Sequence, residues 1–131
     1  MMQFHNTKEI GDFGETKAVH YLRLHGYTVK ERNWHAGKCE IDIIASTLRD
    51  IVFAEVKTRT YSKEEIDTAP PPRMAVHAEK QRLTRQAARA YLCKYPTKKR
   101  PRMDVIEVWL LQSADGKRPK VFKIYHIKAA Y

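Results

Sequence analysis

The apolar residues in the first part of the chain recur at helical spacing. They predict a helix over about residues 7–25, and they are Ile10, Ala18, Val19 and Leu22. Gly26 follows directly and can close this helix as its C′ residue. Gly11 and Gly14 lie inside the helix although glycine is a poor helix former, so we expect another backbone to approach closely there.

Further along the chain, short runs of apolar and β-branched residues predict strands. These runs cover about residues 27–34, 39–46, 51–59, 103–111 and 120–127. A second helical pattern covers about residues 76–94, with an apolar face made of Leu83, Ala87, Ala90 and Tyr91. Before it, residues 60–75 contain three successive prolines and many charges, so we expect a mobile loop.

The resulting order, α-β-β-β-α-β-β, predicts an α/β fold with a central mixed β-sheet flanked by helices. The length of 131 residues suits a single domain over residues 1–131. No apolar run approaches the roughly 20 residues of a membrane helix, and the N-terminus lacks the apolar core of a secretory signal. Cys39 and Cys93 have no metal-binding spacing, so a cytoplasmic, reduced protein is expected.

Charged residues occupy the central hairpin of this sheet, where core strands would be apolar. If the hairpin loop holds two or four residues, Ser46 pairs with Ile51 and Asp42 lies directly opposite Glu55. Residues opposed in this way have Cβ atoms about 4.5–5.5 Å apart. A loop of odd length would instead place the two carboxylates on opposite faces, so the inference depends on the register.

Two facing carboxylates repel each other, and a divalent cation can offset that cost. Mg²⁺ and Mn²⁺ prefer oxygen ligands. Lys57, two residues after Glu55, could hold a water or stabilise negative charge, and such a combination suits hydrolysis of a phosphodiester. The alternative is a surface ion-pair ladder, in which Glu40 pairs with Lys57 and Asp42 lies near Arg59.

The overall charge favours a polyanionic partner. Lys and Arg number 25 against 15 acidic residues, which gives a net charge of +10 and a pI near 9.7. Phosphate contacts, or alternatively a solvated helix face, are expected at a stripe on the second helix made of Arg82, Arg85 and Arg89. A second phosphate contact, or alternatively a flexible linker, is expected in the following loop at Lys94, Lys98, Lys99, Arg100 and Arg102.

The charged hairpin also resembles a known motif. Asp42 followed by "EVK" at Glu55, Val56 and Lys57 resembles the D…ExK core of the PD-(D/E)XK nuclease superfamily. The segments "GDFGETKAVHYLRLHGYTVKERNW", "CEIDIIA", "VFAEVKTR" and "RMDVIEV" resemble the YraN-type family of bacterial proteins, which is similar in fold to archaeal Holliday-junction resolvases. The resemblance covers about residues 11–127. Ile41 departs from the superfamily's proline, and a departure from the family's usual glycine occurs at Cys39.

This resemblance implies a restriction-endonuclease-like fold and a metal-dependent endonuclease that cuts DNA, including branched or damaged DNA. It implies that Asp42 and Glu55 bind Mg²⁺ or Mn²⁺, with the Val56 carbonyl as a further ligand. It also implies that Lys57 aids the attacking water. Glu15 matches the first-helix glutamate that adds to the metal site in related resolvases, although a solvated helix residue is the alternative.

The expected partner is therefore nucleic acid, with DNA favoured and no membrane, and cutting both strands would favour a homodimer. The alternative is a non-catalytic module with a nuclease-like fold that binds branched DNA or RNA without cutting it. A protein recruited to membranes is disfavoured, because the apolar face of the second helix is small and rich in alanine. Asp104 is expected to form a structural ion pair, and Trp34 is expected to pack against the protein.

Overall fold

A five-stranded sheet with helices on both faces forms the protein, and the computed structural model describes residues 7–72, 76–116 and 118–131. The strands lie in the order of the chain and are β1 (Thr28–Ala36), β2 (Cys39–Ser46), β3 (Asp50–Tyr61), β4 (Arg100–Leu111) and β5 (Lys120–Ile127). The helices are α1 (Thr7–Leu24), α2 (Lys63–Ile66) and α3 (Ala78–Lys94). The expected order of elements is confirmed, with the one-turn helix α2 in addition.

The sheet is mixed, as expected. Neighbouring strands are antiparallel except for β3 and β4, which are parallel. Parallel strands require a crossover connection, and the segment that contains α3 supplies it. This arrangement of a mixed sheet between helices is consistent with a nuclease-like fold.

Gly26 closes α1 as the sequence predicts. Its φ of 86° lies in the left-handed region, where glycine carries no steric cost. The N–H groups of Gly26 and Tyr27 donate to the carbonyls of Arg23 and Leu22, at 3.2 and 3.0 Å. These two bonds are the Schellman arrangement, which satisfies carbonyls left open at the end of a helix.

Helix α1 covers one face of the sheet and α3 covers the other. The cluster under α1 contains Ala18, Val19, Leu22, Ile43, Ala45, Val52, Ala54, Ile106, Val108 and Leu110. The cluster under α3 contains Ile41, Ile44, Ile51, Phe53, Ala87, Ala88, Tyr91 and Met103. Trp34 packs against the second cluster, with its ring 5.3 Å from that of Tyr91, which confirms its expected packing role.

The two glycines within α1 differ in their surroundings. A methyl group on Gly14 would overlap the side chain of Thr58 in β3, whereas one on Gly11 would meet nothing within 4 Å. The expected approach of another backbone is therefore wrong for both: Gly14 admits a side chain, and Gly11 has open space beside it. Gly14 lets α1 lie close to β3 at the residue before Glu15.

Part of the expected loop over residues 60–75 is regular. Strand β3 continues to Tyr61, and α2 begins with a capping box at Ser62. The Ser62 hydroxyl accepts the Glu65 N–H at 3.2 Å, and the Glu65 carboxylate accepts the Ser62 N–H at 2.8 Å. Residues 73–75 of that loop lie outside the described residues. Within the described ranges, no helix combines the length and the apolarity that crossing a membrane requires.

Candidate active site

The β2–β3 hairpin has the register that an even-numbered loop requires. Ser46 pairs with Ile51, and the pairing continues as far as Ile43 opposite Ala54. The ladder of paired residues ends there, one position before Asp42. The two strands therefore separate where the predicted metal ligands begin.

Asp42 lies in the gap between the separating strands. Its Oδ2 accepts the backbone N–H of Val56 at 2.8 Å. The carboxylate thus takes the place of a backbone acceptor. The sequence register predicts that Asp42 pairs directly with Glu55, and this pairing is not formed. A residue in an antiparallel strand directs its N–H and C=O toward the same neighbour, so we expect the Val56 carbonyl to face this gap as well.

Strand β2 changes face around Asp42. Residues two apart in a regular strand share a face, but Ile41 packs in the α3 cluster and Ile43 packs in the α1 cluster. The strand therefore rotates between them. As a result, Glu40 and Asp42 line a cleft that α1 borders.

This cleft has a volume of about 470 Å³ and brings together residues that are distant in sequence. Its lining includes Ile10, Gly11, Glu15, Asn33, Glu40, Asp42, Val56 and Thr58. Three of the four predicted metal ligands, Glu15, Asp42 and Val56, thus border one cleft. Glu55 and Lys57 are not part of its lining.

Glu55 reaches the gap from the side of the sheet that α3 covers. It follows Phe53 of the α3 cluster in strand alternation, and its carboxylate contributes to raising the pKa of Tyr131, which packs against that cluster. Its Oε2 is buried and has no hydrogen-bond partner among the described residues. Glu55 and Asp42 are close enough to interact electrostatically. The two carboxylates therefore approach the gap from two sides rather than from one face.

The Asp42 carboxyl is held in an environment that disfavours its charge. Burial is the largest cause that raises its pKa, and the Glu40 and Glu55 carboxylates add to the effect. The Val56 N–H and the Lys80 ammonium act in the opposite direction, but the net pKa is raised. A bound cation would relieve this cost.

Glu15 is buried, so the alternative of a solvated helix residue is wrong. Burial raises its pKa and the Asp42 carboxylate raises it further, while Arg32 and Asn33 oppose the rise. The Arg32 Nε lies 3.5 Å from its Oε1, and the Asn33 amide donates to the same oxygen at 3.0 Å. Glu15 is therefore fixed at the border of the cleft, toward Asp42.

Asn33 and Arg32 are functional candidates that the sequence reasoning missed. Asn33 has a φ of 50°, in the left-handed region that asparagine enters more readily than most residues. This conformation occurs within β1, and it accompanies the contact of its side chain with Glu15. The available signal was an asparagine inside a strand pattern, where that residue is depleted.

Two carboxylates at the gap are candidate ligands for a small, hard cation. Among the described residues, no three His, Cys, Asp or Glu side chains converge closely enough to hold a metal ion. Mg²⁺, however, is usually bound by one or two carboxylates and keeps several waters. Asp42, with Oδ2 bonded to the Val56 N–H, and Glu55, with its unpartnered Oε2, are the two carboxylates that would hold it.

Glu107 is a third residue that the sequence reasoning missed. It lies beside Lys57 in the β3–β4 register, and only 1% of its side chain is exposed. Its Oε1 accepts hydrogen bonds from Arg59 Nε and from Trp109 Nε1, both at 2.7 Å. Arg59 therefore pairs with Glu107 rather than with Asp42, which argues against the ion-pair ladder.

Asp104 forms the structural ion pair that was expected, and a larger network around it. Its carboxylate accepts from Arg102 at 2.9 and 2.8 Å, from the Ala129 N–H at 3.0 Å, and lies 2.6 Å from His126 Nε2. The other ring nitrogen of His126 lies 3.2 Å from the Tyr21 hydroxyl. The network joins α1, β4 and β5, so its role is structural.

The arginine stripe on α3 is exposed, as a phosphate contact requires. Arg82, Arg85 and Arg89 all face solvent. Arg82 pairs with Glu79 at 2.6 Å, and the Arg85 guanidinium lies 5.3 Å from the centre of the Tyr131 ring. An incoming phosphate would therefore compete with one acidic side chain on this face.

The basic cluster after α3 is more ordered than the sequence suggests. Arg100 and Arg102 belong to β4 rather than to a loop, and both pair with Asp50. The Lys99 ammonium donates to the Thr47 carbonyl at 2.8 Å, whereas Lys98 is exposed. The expectation of a flexible linker is therefore wrong over its second half, and Lys98 is the more accessible of the two lysines.

The structural class of this protein is a mixed five-stranded sheet flanked by helices, in which β2 and β3 separate beside the half-buried carboxylate of Asp42. Residues 14–108 match the model of a family described as uncharacterised protein family UPF0102, and the chain belongs to that family. This finding confirms the family resemblance drawn from the motifs.

Relatives extend along most of the chain. A UPF0102 protein from Porphyromonas gingivalis is 44% identical over 115 residues, which cover 88% of this chain and 78% of that protein. One from Bacteroides thetaiotaomicron is 37% identical over 130 residues, covering 99% of this chain and 96% of the relative. One from Geobacter metallireducens is 44% identical over 93 residues, covering 71% of each.

Proposed function

We propose that this protein is a metal-dependent endonuclease that hydrolyses phosphodiester bonds in DNA. The observation that carries the proposal is the bond from the Val56 N–H to Asp42 at the point where β2 and β3 separate. It supports a role for Asp42 as a fixed, half-buried carboxylate beside the "EVK" segment of the motif. The net charge of +10 supports a polyanionic substrate.

In this proposal each residue at the gap has a distinct task. Asp42 and Glu55 hold Mg²⁺ or Mn²⁺, and the Val56 carbonyl and Glu15 complete or orient the site. The bound ion supplies Lewis acidity toward the phosphate and lowers the pKa of a bound water. Lys57 orients the attacking water and offsets the negative charge that develops on the phosphate in the transition state.

Basic side chains outside the gap bind the backbone of the nucleic acid. Arg82, Arg85 and Arg89 on α3, together with Lys98, contact phosphates without reading bases. Lys99 and Arg100 have protein partners, so their ammonium and guanidinium groups are held in fixed positions. The helix α3 also brings Lys80 into electrostatic range of Asp42.

A cleavage assay tests this proposal. Labelled single-stranded, duplex, nicked and branched DNA, with matching RNA, are incubated with the protein in Mg²⁺, Mn²⁺ or EDTA. We expect cleavage of at least one DNA structure with metal and none in EDTA. Asp42→Asn and Glu55→Gln should abolish it, and Lys57→Ala should reduce it strongly.

Glu40→Gln is the matched control for these variants. Glu40 borders the same cleft and is exposed, but it is not a proposed ligand, so its replacement should leave cleavage nearly unchanged. Cleavage by Asp42→Asn at the rate of the parent would contradict the proposal.

The second candidate function is a nuclease-like module that binds nucleic acid without cutting it. It is favoured by the placement of the two candidate ligands, because Asp42 lines the cleft beside α1 whereas Glu55 approaches from the side of the sheet that α3 covers. It predicts binding of DNA or RNA with no cleavage under any metal condition. The same assay, read beside a binding measurement, separates the two functions.

A further inference from the structure

A second cleft lies at the opposite end of the β2–β3 hairpin from Asp42. It has a volume of about 180 Å³, and Ser46 and Ile51 at the closed end of the hairpin belong to its lining. Ser46 lies four positions after Asp42 along β2, which corresponds to about 13 Å at strand spacing. The cleft is therefore separate from the candidate active site but on the same element.

Lys30 reaches this cleft because β1 contains a bulge. Val29 pairs with Ala45 and Glu31 pairs with Ile44, so Lys30 is an extra residue between two consecutive pairs. Bulges turn a side chain away from its regular direction and are frequent beside functional sites. Lys30 is exposed and lines the cleft from this position.

Lys99 supplies a second ammonium group to the same cleft. It is half-buried, and its Nζ donates to the Thr47 carbonyl at 2.8 Å. An ammonium has three donors, so this bond anchors the group and leaves donors for a ligand. Two lysines on so small a cleft favour an anionic ligand.

Tyr95 presents an aromatic ring beside these lysines. It is 44% exposed, although its ring centre lies only 4.9 Å from that of Tyr91. Tyr91 is buried, with its own ring 5.9 Å from Phe53 and 5.3 Å from Trp34. The buried tyrosine therefore supports the exposed one, and the Lys94 ammonium lies 5.5 Å from the centre of the exposed ring, where a stacking base would displace it.

An exposed apolar side chain belongs to the loop between Ser46 and Ile51, two residues of the cleft lining. Leu48, at the tip of the hairpin, is 91% exposed. Two backbone bonds hold the tip in place, one from the Thr47 N–H to the Asp50 carbonyl and one from the Arg100 N–H to the Arg49 carbonyl. Exposed apolar side chains on a supported loop are suited to insertion between stacked bases.

We propose that this cleft binds one unpaired nucleobase that is turned out of the base stack of a DNA duplex. Leu48 inserts into the stack beside the place that the base has vacated. Tyr95 stacks on the base, and Lys30 and Lys99 bind its flanking phosphates. The volume is well below that of a pocket for a drug-sized ligand and suits a single planar ring. The inference rests on the proposed function for DNA as the partner, and it assigns DNA with unpaired bases as the preferred substrate class.

Binding without metal tests this inference. Duplexes that are fully paired, or that carry one unpaired 2-aminopurine, are titrated with the protein in EDTA, so that no cleavage is required. We expect tighter binding of the second duplex. Tyr95→Ala should weaken that binding roughly 5- to 150-fold, the range that corresponds to stacking of one base on one aromatic side chain, and should leave the paired duplex almost unaffected.

The controls separate stacking from folding and from general charge. Tyr95→Phe keeps the ring and should keep the preference for the unpaired base. Lys30→Ala should weaken binding, whereas Lys38→Ala, which removes an exposed lysine from the β1–β2 turn, should not alter the preference. Thermal midpoints of all variants, which change exposed side chains, should remain near that of the parent.

Equal affinity of the parent for both duplexes, or an unchanged preference in Tyr95→Ala, would overturn the inference. Failure of the proposed nuclease is recognised separately. A preference for the unpaired base without cleavage in any metal would support base binding in this cleft and contradict the proposed nuclease activity. Cleavage without such a preference would support the nuclease activity and contradict base binding in this cleft.

Discussion

The carboxylate of Asp42 accepts the backbone N–H of Val56 at 2.8 Å, one position beyond the last paired residues of β2 and β3. A side chain thereby satisfies a backbone donor that the neighbouring strand no longer reaches. The same contact holds a half-buried carboxylate within electrostatic range of Glu15 and Glu55. The stability of the protein should therefore depend on the charge at this residue.

Asp42→Asn should stabilise the metal-free protein at neutral pH. The asparagine oxygen can still accept the Val56 N–H, while the charge is removed. The pKa of Asp42 is raised, so the folded state binds its proton more tightly than the unfolded chain, and the parent loses stability as pH rises through the folded value. Urea unfolding should show a higher free energy of unfolding for the variant at pH 7 and little difference at pH 3.

Glu40→Gln is the control for that comparison, because Glu40 is exposed beside the same cleft. It should change the pH dependence less than Asp42→Asn does. A variant less stable than the parent at pH 7 would show that the charge is compensated in the folded protein.

Mn²⁺ should raise the melting temperature of the parent, because a ligand that binds only the folded state stabilises it by mass action. At one hundred times the dissociation constant the gain is about 2.7 kcal/mol. Asp42→Asn should remove this shift, and Lys57→Ala should keep it because lysine is not a ligand. Differential scanning calorimetry with and without Mn²⁺ measures both. A full shift in Asp42→Asn would exclude Asp42 as a ligand.

Two glycine substitutions on α1 should act in opposite directions. Gly14→Ala overlaps Thr58, so it should lower the free energy of unfolding by about 1–3 kcal/mol, the usual cost of overpacking. Gly11→Ala meets nothing within 4 Å and should raise it by up to about 1 kcal/mol through helix propensity. Denaturant unfolding of the two variants provides the test. Equal effects would show that α1 can shift away from β3 without cost.

Asp104 should control stability in acid. Burial alone raises its pKa, but hydrogen bonds from His126, Arg102 and the Ala129 N–H outweigh burial, and the pKa is lowered. Its contribution is therefore complete above the unfolded value of about 3.9 and is lost as pH falls through the folded value. Asp104→Asn should cost about 3–5 kcal/mol at pH 7, since it leaves buried partners unpaired.

A surface carboxylate is the control for that prediction. Asp12 pairs with Lys8 at 3.2 Å on the exposed side of α1, so Asp12→Asn should change stability little. Acid titration followed by circular dichroism compares the two variants. If Asp104→Asn keeps the acid transition of the parent, other carboxylates determine that transition.

DNA binding should weaken steeply with salt, because phosphate contacts release counterions. Replacement of Arg82, Arg85 and Arg89 by alanine should reduce the slope of log K against log salt by up to roughly 0.9 for each phosphate that is no longer neutralised. A matched triple variant of exposed basic residues away from α3 changes Arg23, Lys120 and Lys128. Fluorescence anisotropy over a salt series should show the larger change in the α3 variant. An equal change in both would place the binding face elsewhere.

Local pattern was sufficient to predict most of the fold. Strands β2 and β5 have the bounds that apolar runs predict, and Gly26 ends α1 as expected. The pairing of Ser46 with Ile51 also follows from the four residues between them. These features depend on residues that are close together in the chain, so their periodicity and turn preferences can be read directly from the sequence.

The residue types of the site were also readable from the sequence, but their geometry was not. Alternation placed Asp42 and Glu55 opposite each other on one face, whereas the strands separate and β2 rotates at Asp42. The site also depends on how α1 packs over β3, where Gly14 meets Thr58 at the residue before Glu15. Such packing joins segments far apart in the chain, and a local pattern contains no information about it.

Tertiary contacts decided how the charges around the candidate site are paired. Glu15 is buried against Arg32 and Asn33. Glu107 forms a salt bridge with Arg59, and the Lys99 ammonium donates to the Thr47 carbonyl. Each partner lies on a different strand, helix or loop from the residue it binds. The sequence determined that a basic α/β protein carries two carboxylates and a lysine in its central hairpin. Only the folded sheet determined that all three are half-buried and that Asp42 and Glu55 approach from two sides, because burial depends on the elements packed above each strand.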